Sequence, residues 1–98
     1  GKCAICNHGA TAILQAAHIK PWGECTFEES YDVTNGILLC PNHHSLWDKG
    51  LIDVTEDYVV ECEDKVERNL DGRKLTLPKD VKLWPSKKLL KWRIKKDV

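Results

Sequence analysis

A chain of 98 residues, 42% of them hydrophobic and with a single Phe, allows one small domain whose core is modest and needs a staple. Fifteen Lys and Arg balance 15 Asp and Glu, yet residues 73–98 carry 10 basic against 2 acidic side chains, an excess of 8 that fits either an interaction surface, with nucleic acid the obvious polyanion, or a solvated charged helix. No apolar run approaches the roughly 18 residues of a membrane span, and five Cys, an odd count with CxxC spacing, favour metal over disulfides and so a reducing, cytoplasmic setting.

The chain opens two residues before Cys3 without an initiator Met, as expected of a domain cut from a longer protein. Cys3-Ala-Ile-Cys6, followed by Asn7, His8 and Gly9, reads as a zinc knuckle: two thiolates two residues apart, then a turn. Residues 12–19 read as a strand that Pro21 stops, and residues 36–39 (Gly-Ile-Leu-Leu) as the strand that pairs with it. Residues 20–34 between them are polar and hold Pro21, Gly23 and several acids, the pattern of a long loop. Pro41 opens a short helix and Gly50 ends it.

Residues 51–54 and 58–62 are β-rich runs split by Thr-Glu-Asp, which predicts a second hairpin. Asp71-Gly72 marks a turn before residues 74–77, a candidate third strand. Ser86 caps a final helix, with Leu89, Leu90, Trp92 and Ile94 as its apolar stripe. Lys87, Lys88, Lys91, Arg93, Lys95 and Lys96 fill the rest of its circumference, and they make this helix the candidate nucleic-acid-binding surface. The expected class is α+β: residues 1–52 form a zinc-stapled core, and residues 53–98 add a hairpin and a basic helix within the same single domain.

Cys40-x2-His43 repeats the spacing of Cys3-x2-Cys6, so the two pairs can close one tetrahedral, structural Zn2+ site. The 33 residues between them exceed the usual finger spacing, and a hairpin with a long loop fills them. His44 competes with His43 for the fourth position, because helical neighbours point about 100° apart and only one can face the metal. The matched spacing assigns His43, with His8 a weaker substitute. Cys25 and Cys62 are expected to be free thiols, and Trp22 and Trp47 to pack in the core rather than to stack on bases.

Ala-Ala-His-Ile-Lys-Pro-Trp (16–22), followed by Asn-Gly-Ile-Leu-Leu-Cys-Pro-Asn-His-His-Ser-Leu-Trp-Asp-Lys-Gly-Leu-Ile (35–52), resembles the HNH endonuclease family with its ββα-metal fold. It looks most like a restriction-enzyme-associated branch with an AHI-x-P-W and HH-x-L-(F/W)-D-x-G-L signature. The motif core spans residues 3–52, and residues 70–77 with 85–92 also look like the tail of that branch. The resemblance implies that His18 is the His ending the first strand, Asn35 the Asn opening the second, and His44 the final His on the helix. It implies DNA as substrate and a divalent cation, Mg2+ or Mn2+, at His44. Specificity would reside in a separate upstream domain, and double-strand cutting by a single-site enzyme would call for a homodimer.

The chemistry agrees with that assignment. Phosphodiester hydrolysis needs a base for water, and an imidazole suits the task; His18 is the candidate. The Asn35 amide can bond backbone groups across the hairpin and hold His18 in register. Many family members carry a metal-binding acid immediately before the first His, but here that position is Ala17. Asp48, at i+4 from His44 and so on the same helix face, is the best replacement, with Glu28 or Glu29 as substitutes. The rival reading is a non-catalytic zinc module that binds nucleic acid or protein, favoured by Ala17 but leaving His18, Asn35 and His44 without a purpose. A third reading, a hydrolase using the zinc itself, is the weakest, since four protein ligands leave no place for water.

Overall fold

The structure is a computed structural model that describes residues 2–96, the last of them by its backbone alone. Gly1, Asp97 and Val98, at the ends of the two expected segments, and the Lys96 side chain of the expected basic face lie outside the described residues.

Two antiparallel strands form the first hairpin, β1 (Gln15–His18) and β2 (Gly36–Leu39), in a register that pairs Gln15 with Leu39 and His18 with Gly36. Ala17, Ile37 and Leu39 point into the core. The first strand begins later than expected, because residues Thr11–Ile13 form an exposed 3-10 turn. The partner strand ends opposite Gln15: Cys40 turns into a helix and Pro41 has no N–H to extend the ladder. Past the other edge of β2 runs the knuckle, tied by Ala4 N–H to Leu38 O at 2.8 Å.

The expected long loop is not structureless. It holds a 3-10 turn at Trp22–Glu24, the short helix α1 (Phe27–Tyr31) and a second 3-10 turn at Val33–Asn35. Thr26 caps α1: its hydroxyl accepts from Glu29 N–H at 3.2 Å, and Glu29 Oε1 accepts from Thr26 N–H at 2.9 Å. That reciprocal box satisfies two N-terminal donors that a five-residue helix could not otherwise bond.

Helix α2 (Pro41–Asp48) begins with Pro in its first turn, and Gly50, at φ +71°, turns the chain away after it. Trp47 on α2 is fully buried, and its indole N–H donates to His18 O at 3.0 Å, fastening the helix across the end of β1. A second hairpin follows, β3 (Ile52–Val54) with β4 (Val60–Cys62). The second run starts two residues later than expected because Tyr58 takes a left-handed turn conformation, φ +63°. Residues 74–77 make only the isolated bridge Val59–Lys74 in place of a strand: after Leu75 N–H bonds Tyr58 O, Thr76 N–H turns to Ala4 O at 2.7 Å. The final helix α3 (Lys87–Lys96) starts where expected, with Ser86 Oγ accepting from Leu89 N–H at 3.2 Å, and buries Leu89 and Leu90.

Candidate functional site

Cys3 and Cys6 on the knuckle, Cys40 at the end of β2 and His43 in the first turn of α2 converge, their ligand atoms all within 4.8 Å of one another. Cys40 Sγ lies 3.2 Å and Cys3 Sγ 3.9 Å from His43 Nδ1, and Cys6 Sγ lies 3.8 Å from Cys40 Sγ. The far side of the His43 ring faces a carboxylate, Nε2 standing 2.9 Å from Glu67 Oε1 and 3.2 Å from Oε2. Donation from Nε2–H to Glu67 leaves the Nδ1 lone pair toward the thiols, the arrangement metal-binding histidines use. Burial pushes the Cys3 thiol up, but backbone N–H groups at Cys6, Cys40 and Ile5 outweigh it and bring the thiol down to about 7. Burial, then the neighbouring Cys3 and Cys40 sulfurs, raise Cys6 to about 11. Crowded thiols that cannot all ionise, around a correctly oriented imidazole, fit a Cys3His zinc centre, whose cation would hold all three as thiolates.

His18, at the last position of β1, is exposed, and its ring meets Trp22 edge to face at 6.5 Å. Asn35 is 1% exposed and bonds the chain just behind His18. Its Oδ1 accepts from Lys20 N–H at 2.8 Å, while Nδ2 faces Lys20 O at 3.2 Å, Glu29 O at 3.2 Å and Cys25 Sγ at 3.3 Å. With Ile19 N–H on Asn35 O at 3.0 Å, this clamps the exit of β1 to the entry of β2. His44, half-buried on α2, stands with Nε2 3.3 Å from Asp48 Oδ2, as i,i+4 spacing on one face requires. Its Nδ1 lies 2.6 Å from Gln15 Oε1. Both ring nitrogens of His44 thus face side-chain oxygens, and Nε2 with Asp48 Oδ2 could hold a cation between them.

The HNH endonuclease family model matches residues 3–55, 53 of the 98 residues. This chain belongs to the HNH endonuclease family. Membership suggests a nuclease, an activity that acts on DNA and in this family generally uses divalent metal. No curated protein matches the chain.

In this HNH domain Ala17 is 1% exposed in the core and cannot ligate. Gln15, two residues earlier and therefore on the same face of β1, reaches His44 in its place. Of the two acids considered as substitutes for Asp48, Glu29 is engaged by Lys20 Nζ at 2.9 Å and by the α1 cap, whereas Glu28 is exposed. His8 is exposed and outside the metal cluster. Cys25 and Cys62 are free thiols, and Cys25 donates to Lys20 O at 3.3 Å.

Two expectations about side chains need correction. Arg93 does not point to solvent: its Nε donates to Asp53 at 2.8 Å, its Nη2 to Trp47 O, and its guanidinium lies 3.7 Å from the Trp47 ring centroid. It bolts α3 to α2 and β3, which leaves Lys87, Lys88, Lys91 and Lys95 as the exposed cations of α3 among the described side chains. Trp47 is in the core as expected, but Trp22 is 58% exposed. Sequence reasoning also missed Gln15 and Glu67. Gln15 carried no signal, since an amide at a strand start has no motif; Glu67 lies beyond the HNH core, where a lone acid among eight in residues 53–72 looks like solvated surface. Among the described residues, no helix is long and apolar enough to cross a membrane.

Proposed function

We propose that this domain hydrolyses DNA phosphodiesters as the catalytic unit of a larger restriction-type nuclease. His18 takes a proton from water, the resulting hydroxide attacks phosphorus, and the P–O bond to the leaving oxygen breaks. Asn35 keeps His18 at its place by holding the backbone of Lys20. Gln15, by accepting from His44 Nδ1–H, turns the Nε2 lone pair toward Asp48, so that the two would hold a divalent cation such as Mg2+ or Mn2+, whose chemistry is to offset charge on the phosphate and the leaving oxygen. Cys3, Cys6, Cys40 and His43 would hold the structural zinc that ties the knuckle to α2. Lys87, Lys88, Lys91 and Lys95 would contact DNA phosphates, and an upstream domain would supply specificity.

The observation that carries this reading is the 3.3 Å approach of His44 Nε2 to Asp48 Oδ2, on the helix that Trp47 fastens to the His18 backbone. A non-catalytic zinc module, the reading that buried Ala17 favours, has no use for that pair. Asp48→Asn separates the two: under the nuclease reading it raises the Mg2+ or Mn2+ concentration needed for plasmid nicking at least tenfold, with zinc content and DNA binding retained. Nicking that needs no added cation, or no more cation than wild type, would refute the assignment.

A further inference from the structure

Three aromatic rings on the crossover between β1 and β2 face solvent: Trp22 is 58% exposed, Phe27 80% and Tyr31 68%. This is unexpected in a chain with one Phe and a small core to fill. The rings touch edge to face in a row that starts at His18: His18 to Trp22 at 6.5 Å, Trp22 to Tyr31 at 5.8 Å, Tyr31 to Phe27 at 5.2 Å. One buried amide holds the row to the site. Asn35 bonds Lys20, two residues after His18, and Glu29 O inside α1, the helix that carries Phe27 and Tyr31.

Helix α1, which bears Phe27 and Tyr31, has acids at Glu28 and Glu29 and no Lys or Arg, so it offers phosphates nothing. The cations are alongside. Lys20 Nζ lies 5.0 Å from the Trp92 ring centroid of α3 and 2.9 Å from Glu29 of α1, which stitches the basic helix, with exposed Lys88, Lys91 and Lys95, next to the aromatic one. Rings that can stack, next to charge that can track a backbone, are what unpaired nucleotides require. Paired bases inside a closed duplex are out of reach of such rings until they are unstacked.

We propose that Trp22, Tyr31 and Phe27 form a stacking platform for unpaired nucleobases next to the scissile phosphate, so that the domain engages single-stranded or locally opened DNA in preference to closed duplex. The location next to the scissile phosphate rests on the nuclease reading of His18; the test reads binding alone.

The whole 98-residue chain, zinc-loaded and without other divalent cations, is titrated with a labelled oligothymidylate and with a fully paired hairpin duplex of similar charge. Wild type binds the single strand more tightly, and binding quenches the tryptophan fluorescence, a signal that Trp22→Phe reduces. Phe27→Ser and Tyr31→Ser each weaken single-strand binding about five- to hundredfold, the range for one lost base–ring stack, and change duplex binding little. Phe27→Leu, which keeps apolar area without a ring, behaves like Phe27→Ser, and Phe27→Trp restores binding. Equal losses on both probes, full binding by Phe27→Leu, or unquenched wild-type fluorescence overturns the platform. So does sedimentation that shows wild type dimeric and Phe27→Ser monomeric, which would make the row a protein interface. If only the nuclease reading fails, His18→Ala nicks DNA like wild type while the single-strand preference and its loss in the ring variants persist.

Discussion

Replacing Asn35 by Ala removes the clamp behind His18, and the structure sets the size of the effect. The side chain is 1% exposed and has four partners: it accepts from Lys20 N–H and faces Lys20 O, Glu29 O and Cys25 Sγ as a donor. An isolated buried donor or acceptor left without a partner costs about 1–3 kcal/mol. Lys20 and Glu29 are half-buried, so water can reach part of what Asn35 releases, and the sum is about 3 kcal/mol rather than a multiple of it. In a domain of this size 1 kcal/mol shifts Tm by about 4–8 °C, so Asn35→Ala should melt roughly 15 °C below wild type. Calorimetry with zinc analysis gives the stability, and a plasmid nicking assay well below the new Tm gives the activity, expected to fall more than tenfold with zinc retained. A Tm within about 3 °C of wild type would show that the four contacts do not hold the hairpin together. Unchanged nicking would show that His18 does not depend on them.

Three further outcomes follow from the same geometry. Arg93→Ala should cost about 1–3 kcal/mol of stability by removing its part-buried hydrogen bonds to Asp53 and Trp47 O, whereas Lys88→Ala with Lys91→Ala should leave Tm unchanged and lower the slope of log binding constant against log salt by about 2; a matching salt effect from Arg93→Ala with no loss of Tm would return Arg93 to the DNA surface. Glu67→Ala should weaken zinc binding about tenfold in chelator competition by freeing the His43 ring, and equal affinity would remove Glu67 from the site. The Glu29 carboxyl is held below its usual 4.5 by Thr26 N–H and then by Lys20. A lowered folded value stabilises above the unfolded value and is lost as pH falls through the folded one, so wild type should lose Tm faster than Glu29→Gln on acidification below about pH 4.5. Parallel acid limbs for the two proteins would contradict the cap.

What could be read from the sequence was what spacing encodes. Cys3, Cys6, Cys40 and His43 announce themselves because metal ligation demands paired intervals, and they do cluster. The β1–β2 pairing follows from two apolar runs bounded by turn residues, and α2 from a Pro and a Gly at its ends. Helix α1 was hidden because five residues give no periodicity; its signal was the Thr26–Glu29 cap inside a polar stretch. Residues 74–77 have strand composition, but a neighbouring acceptor, Ala4 O, takes the chain away after one bridge. Arg93 was misread for a physical reason: in a Lys-rich helix every cation looks solvated, and only the packing of β3 shows that Asp53 and the Trp47 ring are waiting for one of them. Trp22 errs the other way, since hydrophobicity predicts burial and cannot show that a 3-10 turn holds its ring in solvent.

Under the nuclease proposal one imidazole, at position 18, activates water for phosphodiester cleavage. The measurement that reaches it most directly is nicking of supercoiled plasmid by zinc-loaded wild type and His18→Ala, side by side, in Mg2+ and in Mn2+, with circular dichroism and zinc content checked on the same samples. Wild type should nick in a cation-dependent manner, and the folded, zinc-replete variant should lose at least a hundredfold in rate. A variant that nicks at the wild-type rate, or a wild type that nicks in neither cation, contradicts the proposal.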